Sequence, residues 1–257
     1  MTGGELWVAY VTLVKKEVYR FLRVWAQTLL PPVITTSLYF LIFGTFIGSQ
    51  IRPIDGYSYM QFIVPGLVML TIIMSAFQNT VSSFFSSKFQ RAIEELMVSP
   101  MPYGVIIAGF VTGALLRSII VGTIVFGIAL FFTNITILHF WVVVTFALLT
   151  AILFALAGLA NGIFANTFDD ISVFPTFVLT PLTYLGGIFY SVNALPPFWR
   201  MVSEWNPIFY MISGFRFGFL GVSDTSLVLS FFVLVTLTAL LVTLNWWLFK
   251  TGRGLRS

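Results

Sequence analysis

Few residues in this sequence are of a type that could perform covalent chemistry. His139 is the one histidine, and the chain has no cysteine for a nucleophile, a disulfide or a thiolate metal site. Asp169 and Asp170 are adjacent carboxylates, but they directly precede an apolar run, where acidic side chains favour the start of a helix. A helix cap is therefore favoured over an acid–base pair. We predict no catalytic residue and no metal site.

Motifs for energy conversion are absent from the sequence as well. No lysine follows a glycine, so the phosphate-binding pattern of P-loop ATPases does not occur. Ion-coupled carriers place acidic residues or histidine inside their membrane spans to bind the driving ion. The longest apolar segments of this chain contain no Asp or Glu. Energy for uphill transport would therefore have to come from another subunit, and we expect this chain to bind no cofactor.

Arg117 is the one charged residue inside a long apolar segment. A charge at that depth is costly unless the side chain reaches the lipid headgroups or finds polar partners. Snorkelling or a structural pairing is favoured. Direct contact with a transported molecule is the alternative.

Two apolar segments carry clustered polar side chains that could line a path for an amphipathic molecule. The candidate lining residues are Phe77, Gln78, Asn79, Thr80, Thr180, Thr183 and Tyr184. Polar and small residues also serve helix–helix packing in membranes, so packing is the alternative for each of them. Pro175 and Pro181 are expected to kink the second segment.

The composition places the whole chain in a membrane. Hydrophobic residues make up 58% of it and charged residues 9%, against about 25% charged residues in soluble domains. A spanning helix needs about 20 mainly apolar residues. Uncharged stretches at least this long separate Arg23 from Arg52, Asp55 from Lys88, Arg117 from Asp169, Asp170 from Arg200, and Asp224 from Lys250. An all-α integral membrane protein is predicted, and a β-barrel with its alternating pattern is excluded.

We predict six transmembrane helices, with the longest uncharged stretch broken at Thr133–His139. They cover residues 25–48, 58–82, 105–132, 140–165, 171–191 and 226–249. Cationic side chains mark the cytoplasmic side. With both termini inside, the cytoplasmic cations are Lys15, Lys16, Arg20, Arg23, Lys88, Arg91, Lys250, Arg253 and Arg256, and the outer ones are Arg52, Arg200 and Arg216. The net charge of +4 is assigned to this topology rather than to nucleic-acid binding.

Three further segments are predicted outside the spans. Residues 1–23 form an amphipathic helix with a basic stripe, which fits an interfacial helix better than a cytosolic extension of the first span. Residues 86–100 contain a short amphipathic helix, either a surface helix or a docking element for a cytoplasmic partner. Residues 194–221 are apolar but rich in helix breakers, which predicts short helices re-entering the outer leaflet.

Three sequence stretches resemble the ABC-2 type permeases, the membrane subunits of many bacterial ABC exporters. Phe89–Pro100 (FQRAIEELMVSP) is similar to the cytoplasmic coupling helix of that family, with its Leu-x-x-Ser-Pro ending. Asn206–Arg216 (NPIFYMISGFR) is similar to the Asn-Pro…Arg signature before the last span, and Leu195–Trp199 (LPPFW) belongs to the same pattern. The similarity covers nearly the whole chain and looks closest to a group of inner-membrane permeases.

The resemblance implies a single transmembrane domain over residues 1–257 that forms a homodimer in the bacterial inner membrane. Two copies of a separately encoded ATPase would bind ATP and Mg²⁺, and membrane lipid would be the remaining partner. Spans two and five of both copies would line the central path. The implied coupling residues are Lys88, Phe89, Gln90, Arg91, Ile93, Glu94, Glu95 and Leu96, and the signature residues are Asn206, Pro207, Phe215 and Arg216.

One departure and two alternatives remain. Many family members have a Gly-Thr pair where this chain has Ala92-Ile93, so its docking contacts are expected to differ in detail. A stand-alone channel or facilitator without an ATPase is the second hypothesis. A membrane-embedded enzyme is the third, and the missing catalytic residue sets weaken it.

Overall fold

The computed structural model describes residues 2–254. Arg256, one of the cations used for the topology prediction, lies outside the described residues. Within residues 2–254 the regular structure is helical, apart from one isolated bridge between Ile54 and Tyr57. This confirms the predicted all-helical class.

The α-helices are α1 (Gly3–Arg23), α2 (Trp25–Tyr39), α3 (Tyr59–Phe89), α4 (Ala92–Val98), α5 (Tyr103–Phe132), α6 (Phe140–Phe164), α7 (Asp170–Phe174), α8 (Thr180–Leu185), α9 (Pro197–Glu204), α10 (Pro207–Leu220) and α11 (Leu227–Thr251). Two π-helical segments, Phe40–Ile47 and Pro175–Leu179, follow α2 and α7. Two short 3₁₀ helices occupy Gly48–Gln50 and Val192–Ala194.

Five helices are long and apolar enough to cross a membrane. They are Trp25–Gln50, Tyr59–Phe89, Tyr103–Phe132, Phe140–Phe164 and Leu227–Thr251. The predicted break at Thr133–His139 is confirmed as the connection between the third and the fourth of them. The predicted fifth span, residues 171–191, is not among the five, so the count of six is not confirmed.

Residues 171–191 fall short of a straight span because prolines and glycines interrupt their helix. The chain there forms helical pieces of 5, 5 and 6 residues, the middle one π-helical. Pro175 and Pro181 lack the amide hydrogen that the α-helical ladder needs, as the predicted kink requires. The last piece ends at Gly186, and Gly187 takes a positive φ of 80° that favours glycine.

Helix α3 is the centre of the structure. It packs on α5, α6 and α10, and almost all of its length is buried. Ser58 and Gln61 close a capping box at its start. Its contact with α6 is close because Gly158 lies against the backbone of α3, where an added Cβ would sit 2.5 Å from the carbonyl oxygen of Phe77.

The two ends of α3 define the two ends of the molecule. At its N-terminal end, the Tyr57 hydroxyl donates to the carbonyl of Leu220 at 2.6 Å, and the Tyr59 hydroxyl donates to the carbonyl of Phe189 at 3.1 Å. We call this the α10 end. The C-terminal end of α3 leads into α4, and we call it the α4 end.

The predicted N-terminal amphipathic helix corresponds to α1, which begins with a capping box between Thr2 and Glu5. Its buried face packs on α5 at Gly109 and Gly113, and an added Cβ at Gly113 would lie 2.5 Å from the Cβ of Glu17. The helix therefore has a firm attachment to the bundle. Its position at a membrane interface stays a prediction.

The predicted helix within residues 86–100 is divided in two. Lys88 and Phe89 are the last residues of α3, and the separate short helix begins only at Ala92. Arg91, with a φ of 58°, stands between them in the left-handed region. The short helix predicted within residues 86–100 therefore covers only Ala92–Val98, because this turn redirects the chain after Gln90.

Residues 194–221 contain α9 and α10, separated at Trp205 and Asn206 and ended by Gly221 at a φ of 71°. The prediction of short helices in this segment is confirmed. Their depth in a membrane stays a prediction.

The close contact of α3 with α6 predicts the effect of one added methyl group. Gly158→Ala should lower the free energy of unfolding by about 1–3 kcal/mol, because backbone rather than a flexible side chain occupies the space. Gly127→Ala in α5 is the matched control, since an added Cβ there meets nothing within 4 Å. Unfolding of both purified variants is measured in the same neutral detergent. Equal midpoints for the two would contradict the described packing.

Candidate functional site

The structure contains a cavity between α2, α3, α5 and α8, with a volume of about 370 Å³. The side chains around it are largely polar or aromatic. Its lining residues are Pro31, Pro32, Thr35, Thr36, Tyr39, Leu70, Thr71, Met74, Ser75, Gln78, Arg117, Thr180, Thr183 and Tyr184. Among these described lining residues, Arg117 carries the only charge.

The cavity brings together four of the predicted lining residues and leaves three aside. Gln78, Thr180, Thr183 and Tyr184 border it, and the Tyr184 hydroxyl lies 3.2 Å from that of Tyr39 across its wall.

The other three predicted lining residues have packing roles, the alternative that the sequence left open. Phe77 is buried and stacks on Phe174. Thr80 donates its hydroxyl hydrogen to the carbonyl of Ala76 at 3.3 Å, within α3 itself. Asn79 is buried behind the cavity wall, where it holds charged partners.

Arg117 is held in place by two acceptors. Its Nη1 donates to Asn79 Oδ1 at 3.4 Å, and its Nη2 donates to the carbonyl of Thr28 at 3.2 Å. The carbonyl of Thr28 is free because Pro32, four residues later, has no amide hydrogen to donate to it. The proline of α2 thus supplies an acceptor for a cation of α5. The structural pairing favoured from the sequence is present, and the side chain also borders the cavity.

Glu17 brings a second buried charge to the same place. Its side chain is fully buried, and it accepts hydrogen bonds from Ser83 Oγ at 2.7 Å and from Arg20 Nε at 3.4 Å. Arg20 Nη2 donates to Asn79 Oδ1 at 2.9 Å, so Asn79 joins the two arginines. We call Glu17, Arg20, Asn79 and Arg117 the charged cluster. It links α1, α3 and α5.

Glu17 was missed from the sequence, although a signal for it exists. Leu13, Glu17 and Phe21 follow one another at intervals of four residues, so they share one face of α1. The two flanking residues are buried and apolar. A lone carboxylate in the middle of an apolar stripe indicates a buried partner.

A second buried ion pair lies at the α10 end. Arg216 is 1% exposed, its Nη1 donates to Asp224 Oδ2 at 2.9 Å, and its guanidinium carbon lies 3.8 Å from the ring centre of Phe62. Its Nη2 donates to the carbonyl of Gly187. This arginine therefore connects α10 to α3 and to the chain that follows α8.

The remaining signature residues organise the same end. Asn206 caps α10 by accepting the amide hydrogen of Ile208 at 3.0 Å, and its Nδ2 donates to the carbonyl of Leu182 at 2.6 Å. Pro207 begins α10, and Phe215 is buried in the core. Asp224, the partner of Arg216, was not singled out from the sequence.

The predicted coupling residues divide into an anchoring and an exposed group. Lys88 Nζ donates to the carbonyls of Ile163 at 2.7 Å and Ala165 at 2.8 Å, which caps the end of α6. Ile93 is buried and holds α4 against the bundle, and Leu96 is partly buried. The exposed group comprises Phe89, Gln90, Arg91, Glu94 and Glu95. Lys88 therefore does not share a face with the α4 carboxylates.

The residues considered for chemistry have structural surroundings. Asp170 accepts the amide hydrogens of Asn166 and Thr167, and Thr167 Oγ1 accepts that of Asp170, which is a reciprocal cap. These hydrogen bonds hold the pKa of Asp170 below its usual value. The carboxylate of Asp169 makes no cap bond. Exposed His139 precedes α6, and residues 2–254 contain no group of three or more potential metal ligands among His, Cys, Asp and Glu.

Comparison with known proteins adds a family and relatives. Residues 8–220 match the family described as ABC-2 type transporter. The inner membrane transport permease YadH of Escherichia coli (strain K12) is 58% identical over 252 residues, covering 98% of each chain. Nodulation protein J of Rhizobium meliloti (strain 1021) is 24% identical over 227 residues, covering 82% of this chain and 85% of that protein. The resemblance stated from the sequence is confirmed.

The charged cluster predicts energetic coupling between Glu17 and Arg20. Glu17→Gln should cost about 2 kcal/mol of unfolding free energy, because it removes the buried carboxylate that accepts from Ser83 and pairs with Arg20. In a double-mutant cycle with Arg20→Gln, the two losses should be non-additive by about 1 kcal/mol. Thermal unfolding in neutral detergent provides the measurement.

The matched control for this cycle is the pair Arg200 and Glu204, which are about half exposed and 3.0 Å apart. Their glutamine variants should couple by at most about 0.5 kcal/mol. Additive losses at Glu17 and Arg20 would show that this pair does not hold α1.

The three contacts of Arg216 lead us to predict that the stability of the fold requires a guanidinium at this position. Arg216→Lys should lower the free energy of unfolding by about 3 kcal/mol, since one ammonium cannot reach Asp224 and the Gly187 carbonyl while lying over Phe62. Arg200→Lys is the matched control at an exposed site. The comparison uses unfolding midpoints, and the hypothesis fails when both lysine variants are equally stable.

Proposed function

The chain belongs to the ABC-2 type transporter family and is a membrane transport permease, and from this premise we propose that it is the membrane subunit of an ABC exporter. Two copies would assemble with two copies of a separately encoded ATPase. The complex would move an amphipathic substrate, of a lipid, drug or polysaccharide type, outward across the bacterial inner membrane.

The observation that carries this proposal is the continuity of α3 between the surface and the cavity. Its last turn leads directly to α4, and its middle supplies Thr71, Ser75 and Gln78 to the cavity wall. A buried helix of 31 residues moves as one body with whatever is attached to its end. A displacement of α4 would therefore be transmitted through α3 to the cavity wall.

The exposed surface of α4 supports docking of a partner. Glu94 and Glu95 are exposed on α4, as is Val98 at its end (87% exposed), and Phe89 at the end of α3 is 65% exposed. Large apolar side chains next to charges are typical of a protein contact rather than a solvated face. The sequence has no P-loop of its own, so the partner we propose is the ATPase.

Topology follows from the same assignment. A docking surface for an ATPase has to face the cytoplasm, so the α4 end would be cytoplasmic and the α10 end outside. Gly254 packs against Ile163 at the end of α6, so it would then be cytoplasmic too. The predicted placement of both termini inside agrees with this orientation.

A second copy is proposed on the side where the cavity opens. Apolar side chains beside it are exposed, among them Ile34 and Leu38 of α2, and Val173 and Phe177 of the broken helix. Two such surfaces facing each other would enclose two half-cavities as one central path. The exposed apolar face of α11 would remain for membrane lipid.

The proposal predicts that α4 determines association with the ATPase. The tagged full-length chain is solubilised gently from its native membrane, and co-purifying proteins are identified by mass spectrometry. A P-loop ATPase is expected in equal amount. Glu94→Lys combined with Glu95→Lys should reduce its recovery by about tenfold or more. Two ammonium groups would then face the surface of the ATPase that is complementary to two carboxylates.

Glu204→Lys is the control, since Glu204 is also exposed but lies at the α10 end. It should leave the ATPase bound, and native mass spectrometry should find all variants dimeric. A clean homodimer without an ATPase in the unmodified protein would instead favour the channel or facilitator. An ATPase that stays bound after both charge reversals would contradict the role of α4.

A further inference from the structure

The charged cluster beside the cavity carries more positive than negative charge. Arg20 Nη2 and Arg117 Nη1 both donate to Asn79 Oδ1, at 2.9 and 3.4 Å, so two guanidinium groups lie within a few ångströms of each other. Glu17 is the only carboxylate in this described network. One positive charge is left without a partner of opposite sign. Arg117, which is 6% exposed and borders the cavity, is the cation that makes no contact with the carboxylate.

Unused hydrogen-bond donors accompany this excess charge. A guanidinium has five N–H donors, and two described hydrogen bonds, to Asn79 and Thr28, engage Arg117. Its Nε, the Nδ2 of Asn79 and the Oγ of Ser75 are buried and have no hydrogen-bond partner among residues 2–254. Buried donors without acceptors are costly, and Ser75 lines the cavity as Arg117 does.

We propose that the cavity binds the anionic head group of an amphipathic molecule, a phosphate or a carboxylate, with Arg117 as its charge partner. The inference deepens the proposed function, on which it rests, by naming the chemistry of the substrate class. An anion next to Arg117 would neutralise the excess charge and accept hydrogen bonds from Ser75 and Gln78. It would meet no carboxylate, because the described lining residues include none.

The surroundings of the cavity explain why the molecule would be amphipathic. Its volume of about 370 Å³ is suited to a head group rather than to a whole lipid. The segments that line it also carry exposed apolar side chains close in sequence to the lining residues, namely Ile34, Leu38 and Phe177. A hydrocarbon chain attached to the head group would rest on these side chains.

The test measures lipid binding to the purified full-length chain in a neutral detergent by native mass spectrometry. The probes are phosphatidylglycerol and phosphatidylcholine with identical acyl chains, and dodecyl phosphate with dodecyl maltoside. We expect about tenfold tighter binding of each anionic probe than of its partner without net charge, as for a partly screened ion pair. Binding of phosphatidylglycerol would indicate a bilayer lipid as the source, and binding of dodecyl phosphate alone would indicate a single-chain cargo.

Three variants test the origin of this preference. Arg117→Gln removes the charge and should abolish it, whereas Arg117→Lys should retain most of it. Gln78→Glu leaves Arg117 in place and adds a carboxylate at an exposed lining position, so it should also abolish the preference without threatening the fold. Gln50→Glu is the matched control, an equally exposed glutamine outside the cavity, and it should bind like the unmodified chain.

Equal binding of charged and neutral probes by the unmodified chain would overturn the inference, as would a preference that survives Gln78→Glu. This readout needs no ATPase. A lost preference together with a co-purifying ATPase would leave the exporter proposal intact, and a preference without an ATPase would leave the anion site intact.

Discussion

Hydrocarbon offers no water to a charged side chain, so each charge inside this protein has to be met by another part of the chain. Two clusters supply polar partners for such charges, one around Arg117 and one around Arg216, and each joins segments that the sequence keeps far apart. Arg117 binds Asn79 and Thr28, which fixes α5 against α3 and α2. Arg216 binds Asp224 and lies over Phe62, which fixes α10 against α3. The position of α3, and with it the shape of the cavity, depends on these contacts.

Pro32 and Gly113 make two of the contacts between these helices possible. Pro32 leaves the carbonyl of Thr28 without its helical donor, and the cation of α5 takes that place. Gly113 permits α1 to approach until the Cβ of Glu17 touches the backbone of α5. In both cases a residue that weakens an isolated helix creates the contact between two helices.

Local sequence pattern was sufficient for most of the long helices and for several exposed side chains. The uncharged runs predicted six spans, of which five correspond to helices long and apolar enough to cross a membrane, and the amphipathic pattern after α3 agrees with the exposed Glu94 and Glu95. Sequence pattern did not predict features that depend on a contact with a residue far away in the chain. Glu17 is explained by Ser83, 66 residues away, and the periodicity of α1 indicates a buried partner without identifying it. Arg91 in a left-handed turn is a similar case, since its residue type does not favour that conformation.

The contrast between α3 and its neighbours bears on how force from α4 would be used. Helix α3 is buried and continuous for 31 residues, and its interior proline, Pro65, precedes the residues that line the cavity, so the part from Leu70 to Phe89 resists bending. The opposite wall of the cavity consists of helical pieces of 5, 5 and 6 residues that contain Pro175 and Pro181, and these have fewer α-helical hydrogen bonds to lose. Relative movement would therefore change the wall that carries Thr180, Thr183 and Tyr184 more than the wall that carries Ser75. Because Arg117 is tied to the rigid side, a head group bound to it would stay with α3 while the other wall rearranges around it.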